Sequence, residues 1–197
     1  MCSEKKRIQE IKREYQITEF CHHFIRKHVA AGDICVDATA GNGNDTEFLC
    51  RLTGDEGKVY AFDIQEEALK NTKERLDQND LQAELILDGH EKMASYVKET
   101  GEVACIVFNF GYLPGGDHEL ATKADTSISA IETGLTLLRR GGLMSLCIYS
   151  GGDSGFDEKN AILDYLKTLD GKKFLVIVSD YYNRPNNPPM PVQIVKL

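Results

Sequence analysis

At 197 residues, 42% hydrophobic and 27% charged, the sequence has the length and balance of one globular domain with a core of its own. No apolar run approaches the roughly 20 residues that span a bilayer. The charged start MCSEKKRIQE lacks a following apolar segment, which argues against a secretory signal and predicts a cytoplasmic protein without a membrane partner. The net charge of −8 argues against non-specific coating of nucleic acid.

Residues 1–31 are expected to form a basic helical segment of the single domain 1–197, with seven Lys/Arg against four Glu up to residue 30. That charge suits either a local RNA contact or an ordinary solvated helix face. Ile17, Phe20, Cys21, Phe24, Ile25 and Val29 recur at helical spacing up to Ala31-Gly32. The adjacent pair His22-His23 reads as surface histidines, because neighbouring helical residues point apart. ICVDAT is a buried-type strand, and AGNGND turns into a helix reaching about Leu52. KVYAFDI is a second strand and EEALKNTKERL a helix; AELILD is a third strand, with a short helix over Lys92–Val97.

VACIVFNF is a fourth strand, followed by GYLPGGD. A helix from about Thr126 to Arg140 should present Ile128, Ile131, Leu135 and Leu138, and Gly141-Gly142 should stop it. LMSLCIY is strand five; SGGDSG is then either a lid or a tight turn into a helix ending near Leu169. KKFLVIVSD and VQIVKL, joined by YYNRPNNPPMP, should pair antiparallel at one edge. The alternation predicts an α/β, doubly wound, Rossmann-like sheet of seven strands. Its reversed last strand resembles the class I methyltransferase fold. Of six cysteines, Cys35, Cys105 and Cys147 fall mid-strand and Cys21 and Cys50 on amphipathic helices, as buried small residues would. No C-x-x-C pair occurs, so no structural metal is expected.

Doubly wound sheets bind ligands at the carboxyl ends of their strands. The first strand ends at Asp37-Ala38-Thr39, and Gly41 and Gly43 let the next turn approach a ligand closely, with Asn42 and Asn44 between and after them. A pyrophosphate site needs a third glycine, where this chain has Thr46 preceded by Asp45. An acid there repels a pyrophosphate but attracts the ammonium of S-adenosylmethionine (SAM), so the spacing favours SAM over NAD. Asp63, followed by Gln65, can accept ribose hydroxyls of either cofactor. Asp88, with Gly89 and His90, either meets the adenine edge or caps the next helix.

Strand four ends Asn109-Phe110-Gly111-Tyr112, where a departing methyl group would face. Methyl transfer needs a neutral nucleophile aimed in line with the methyl carbon. The Asn109 carbonyl can accept an amine N–H, and Tyr112 can stack on a flat base. Phe110-Gly111 replaces the two prolines of the Asn-Pro-Pro-Tyr loop of amino-methyltransferases, so the analogy is partial. VDATAGNGNDTEFL, AFDIQEEAL, NFGYLPGGD and IYSGGDSG resemble the YtqB-type "putative rRNA methylase" family of class I SAM-dependent methyltransferases, over residues from about Tyr15 to Leu197.

The resemblance implies a SAM cofactor and an RNA partner. The family includes a tRNA enzyme that methylates the aminomethyl group of wobble 5-aminomethyl-2-thiouridine. A protonated amine must first lose a proton, and Asp117, His118 and Asp125 are open alternatives for the base or a water path to it. Tyr182, Arg184 and Asn186 in the last loop suit unpaired RNA bases or merely close the hairpin. The competing expectations are an rRNA or small-molecule N-methyltransferase, and a non-catalytic nucleoside- or RNA-binding module. The sequence also leaves open a homodimer through an exposed edge or helix face.

Overall fold

The computed structural model describes residues 2–111, 122–149, 152–185 and 187–197. Two helices come first, α1 (Cys2–Glu14) and α2 (Ile17–Ile25). The strands are β1 (Ile34–Asp37), β2 (Lys58–Asp63), β3 (Glu84–Leu87), β4 (Val103–Phe110), β5 (Leu138–Ile148), β6 (Phe174–Val178) and β7 (Met190–Lys196). Between them run α3 (Asn44–Thr53), α4 (Glu66–Asp77), a 3₁₀ helix (His90–Ser95), α5 (Ala124–Leu137) and α6 (Gly152–Lys167).

The sheet order is β3-β2-β1-β4-β5-β7-β6. Strands β1 to β5 pair in parallel, β7 runs antiparallel to β5, and β6 is antiparallel to β7. This is the α/β sheet with an antiparallel edge that the element pattern predicts. The order reverses between β1 and β4, and a crevice opens at such a switch point.

Each central strand is buried on both faces, which explains its unbroken apolar sequence. On one face Val36, Phe62, Ile106 and Phe108 pack with Met93, Ile131 and Ile162. On the other, Cys35, Val59, Cys105 and Val107 pack with Ile25, Leu49 and Leu76. Five cysteines, Cys21, Cys35, Cys50, Cys105 and Cys147, are free and buried. Burial pushes the Cys35 thiol up to about 12 and the Cys50 thiol to about 11.

Two local expectations are corrected. Helix α5 stops at Leu137 rather than near Arg140, and Leu138 is already extended and paired with Val103. The register then shifts, so that the step Val103 to Cys105 in β4 faces the step Leu138 to Leu143 in β5. Gly141-Gly142 therefore sit in a β-bulge instead of capping a helix. A Cβ on Gly142 would lie 2.9 Å from the Arg139 carbonyl and 3.0 Å from that of Val103.

Candidate active site

The carboxyl ends of β1 to β4 open into a cleft of about 1300 Å³, walled by the residues after each strand and by α2. The glycine turn forms its floor. Gly41 has φ 52° and Gly43 φ 75°. A Cβ on Gly43 would come 2.9 Å from the Cα of Thr72, so α4 packs against the turn at that point. Helix α4 also holds the turn through polar contacts. Thr72 donates to the Gly41 carbonyl at 3.1 Å, Arg75 to the Asn42 carbonyl at 2.7 Å and Asn71 to the Asn42 side chain at 3.2 Å.

Asp37 lies beneath the cleft and is fully buried. It accepts from the Thr46 hydroxyl at 2.6 Å and the Thr39 amide at 3.1 Å. Burial, with the Asp45 charge nearby, pushes the Asp37 carboxyl up to about 7. Asp37, Gly43 and Thr46 thus support the turn from below and do not line the cleft, whereas Ala38, Thr39, Gly41, Asn42, Asn44 and Asp45 do.

Asp63 closes β2 on the opposite wall. It accepts from the Gly41 amide at 2.9 Å and the Gln65 amide at 3.0 Å, one to each oxygen. Each oxygen keeps a lone pair for a ligand hydroxyl. Ile64 follows β2 and Leu87 ends β3; both line the cleft while 56% and 50% exposed, which leaves an apolar slot for a flat ring. Asp88 is already engaged by Lys92 at 2.6 Å, Tyr96 at 2.8 Å and the Gly89 amide at 2.8 Å, contacts that hold its carboxyl down at about 2. It caps no helix: Gly89 occupies the N-cap position. His90 lies edge-on to Phe108 and Phe110, and burial lowers its pKa.

Asn109 sits where β4 meets the cleft. Its amide N–H donates to the Thr39 hydroxyl at 2.7 Å, and its side-chain Nδ2 donates to Oδ2 of Asp45 at 2.8 Å. An ionised carboxylate has no proton to give. Nδ2 therefore faces Asp45, and Oδ1 takes no hydrogen bond from the described residues, which leaves it able to accept from a ligand. Phe110, expected at the reacting atoms, is fully buried and stacks on Phe108 with centroids 4.9 Å apart, so it packs into the core. Gly111 is pinned on both sides by Thr122: its amide donates to the Thr122 hydroxyl at 3.0 Å and its carbonyl accepts from the Thr122 amide at 3.1 Å. Thr122 in turn donates to Glu158, a buried residue of α6, at 2.9 Å.

Tyr112, Asp117, His118 and Asn186 lie outside the described residues. Asp125 is exposed in the first turn of α5, and Thr126 faces the cleft instead. Tyr182 is 95% exposed, and neither it nor Arg184 lines the cleft. Their neighbour Tyr181 ties this loop to the start of the chain by donating to the Tyr15 carbonyl at 2.8 Å.

Among the cleft residues that escape sequence reasoning are His22, Ile64, Leu87 and Tyr149. His22 is not a surface residue. It is 7% exposed and sits 2.7 Å from Oδ1 of Asp45, while His23 beside it is exposed. An apolar residue directly after the strand-ending acid was the available signal for Ile64.

The sequence profile of the family described as "Putative rRNA methylase" matches residues 59–195. A tRNA (mnm(5)s(2)U34)-methyltransferase of Arabidopsis thaliana, a chloroplastic protein, is 35% identical over 181 residues, or 87% of this chain; the chain spans 66% of that protein's length. A "putative rRNA-methylase" from Clostridium thermocellum is 45% identical, superposes with a TM-score of 0.87, and is covered over 95% of its chain and 89% of this one. A methyltransferase from Streptococcus mutans, solved in complex with SAH, is 40% identical with a TM-score of 0.84, over 98% of its chain and 92% of this one.

Proposed function

The chain belongs to the rRNA methylase family of SAM-dependent methyltransferases, and from that premise we propose that it N-methylates an RNA amine, the aminomethyl group of wobble 5-aminomethyl-2-thiouridine in tRNA. The observation that carries the amine is the orientation of Asn109. Its carboxamide presents an acceptor to the cleft because the donor end is held by Asp45. An acceptor can bind an N–H of the incoming amine and leave the nitrogen lone pair aimed at the methyl carbon. The 35% identity to a tRNA methyltransferase supports the choice of RNA.

The cleft fits SAM group by group. The unused lone pairs of Asp63 suit the ribose hydroxyls, and Ile64 and Leu87 suit the faces of adenine. Gly41 brings backbone close to the methionine portion, whose ammonium Asp45 attracts. When bound, SAM supplies an electrophilic methyl on a sulfonium centre. The protein's own contribution is to fix the acceptor within a cleft lined by Tyr149 and α2.

The deciding experiment incubates the purified protein with SAM and tRNA from cells lacking the activity, then analyses nucleosides by mass spectrometry. We expect aminomethyl-thiouridine to fall as its methylaminomethyl form rises. Methyl incorporation into rRNA alone, with the tRNA nucleosides unchanged, would reject the tRNA substrate.

A further inference from the structure

We infer that His22 is a positioning residue for methyl transfer, acting through Asp45 to hold the Asn109 carboxamide with its oxygen toward the cleft. The inference rests on the role proposed for Asn109. Three elements meet here: α2 brings His22, the start of α3 brings Asp45, and the end of β4 brings Asn109. His22 Nε2 lies 2.7 Å from Oδ1 of Asp45, and Asn109 Nδ2 lies 2.8 Å from Oδ2. Each carboxylate oxygen thus serves one neighbour.

The geometry is held from both sides. The His22 ring stacks face to face on Phe48, with centroids 3.6 Å apart and planes 4° off parallel. Phe48 lies three residues beyond Asp45 on α3, so ring and carboxylate are fixed to the same helix. With His22 only 7% exposed, water competes poorly for its nitrogen. Asp45 on its own could rotate and let the Asn109 amide turn over, which would present donors to an incoming N–H. With Oδ1 anchored by His22, Oδ2 stays in place as the acceptor that fixes the amide.

Two substitutions separate positioning from packing. His22→Phe keeps the stack on Phe48 and removes the donor, while His22→Gln restores a donor near Nε2. In protein labelled with ¹⁵N at asparagine, the Asn109 side-chain NH₂ signals are assigned by their loss in Asn109→Ser. These signals should shift in His22→Phe and return toward their original position in His22→Gln. On tRNA bearing the amine, His22→Phe should lower kcat about 10- to 100-fold with SAM affinity kept within about two-fold, and His22→Gln should recover most of the rate. Unchanged Asn109 signals in His22→Phe, or a loss of SAM affinity with kcat intact, would overturn the inference. A wild-type protein that methylates no such tRNA would reject the proposed substrate, while the amide signals would still decide whether His22 holds Asn109.

Discussion

Asp37 and Thr46 share a 2.6 Å hydrogen bond in a place where neither meets solvent. The bond fastens the last residue of β1 to the first turn of α3, so the glycine turn between them is closed underneath. Above it, the cleft-facing residues of that turn rest on this buried pair and on α4, with Gly41 also held by Asp63.

That pair has a pH signature. The Asp37 carboxyl titrates near 3.8 when unfolded and at about 7 when folded, chiefly because it is buried. A raised folded pKa means the contribution to stability is fully present below about pH 4 and lost as pH rises through about 7. Asp37→Asn cannot ionise. Melting curves of both proteins should therefore show the variant gaining relative to wild type between pH 4 and pH 8; a constant difference would refute the assignment.

The two walls of the cleft should separate binding from chemistry. Asp63→Ala removes the acceptor for two backbone amides and the one proposed for the ribose, and should weaken SAM about 10- to 100-fold by calorimetry. Asn109→Ala should leave that affinity within about two-fold and slow transfer by about 100-fold. Equal losses of affinity would remove this division of labour.

Gly43→Ala tests the turn itself. The residue would have to adopt φ 75° with its Cβ 2.9 Å from the Thr72 backbone. Gly32, at φ 84° with open space around it, isolates the dihedral cost. We expect Gly32→Ala to cost about 1 kcal/mol and Gly43→Ala at least about 2 kcal/mol, read as a larger fall in Tm for the second.

Glu158 accepts from Thr122 at 2.9 Å and from Ser127 at 2.6 Å while 5% exposed. Glu158→Leu leaves both hydroxyls without that acceptor, and denaturant unfolding should show a loss of about 2–3 kcal/mol. Glu158→Gln retains one acceptor, and each hydroxyl can rotate to accept in turn, so it should cost less than half as much.

Much of the fold could be read from the sequence because local pattern and burial agree. The β4 run VACIVFNF is apolar on both faces, and its bounds coincide with the strand. Disagreement arose where one residue satisfied two periods. Leu138 continues the spacing of Ile131 and Leu135, yet its backbone is extended and paired with Val103. The glycines after it suit a helix end and a bulge equally well, and only the neighbouring strand decides. At the site, the residues of the glycine turn and Asp63 were legible because they follow strands. His22 was not, because its partner is 23 residues away and its stacking on Phe48 belongs to tertiary packing.

The place of β7 in the sheet bears on how the chain folds. Among the described residues, strand β6 pairs only with β7, which lies between it and β5. In the folding chain β6 has no described strand to join until β7 docks. During that interval the β5 edge, including Leu143 and Leu146, stays open as well. An unpaired apolar edge invites association with other chains. The docking of β7 between β5 and β6 is therefore the step at which the folding chain is open to association, and refolding at rising protein concentration should lose yield to aggregation.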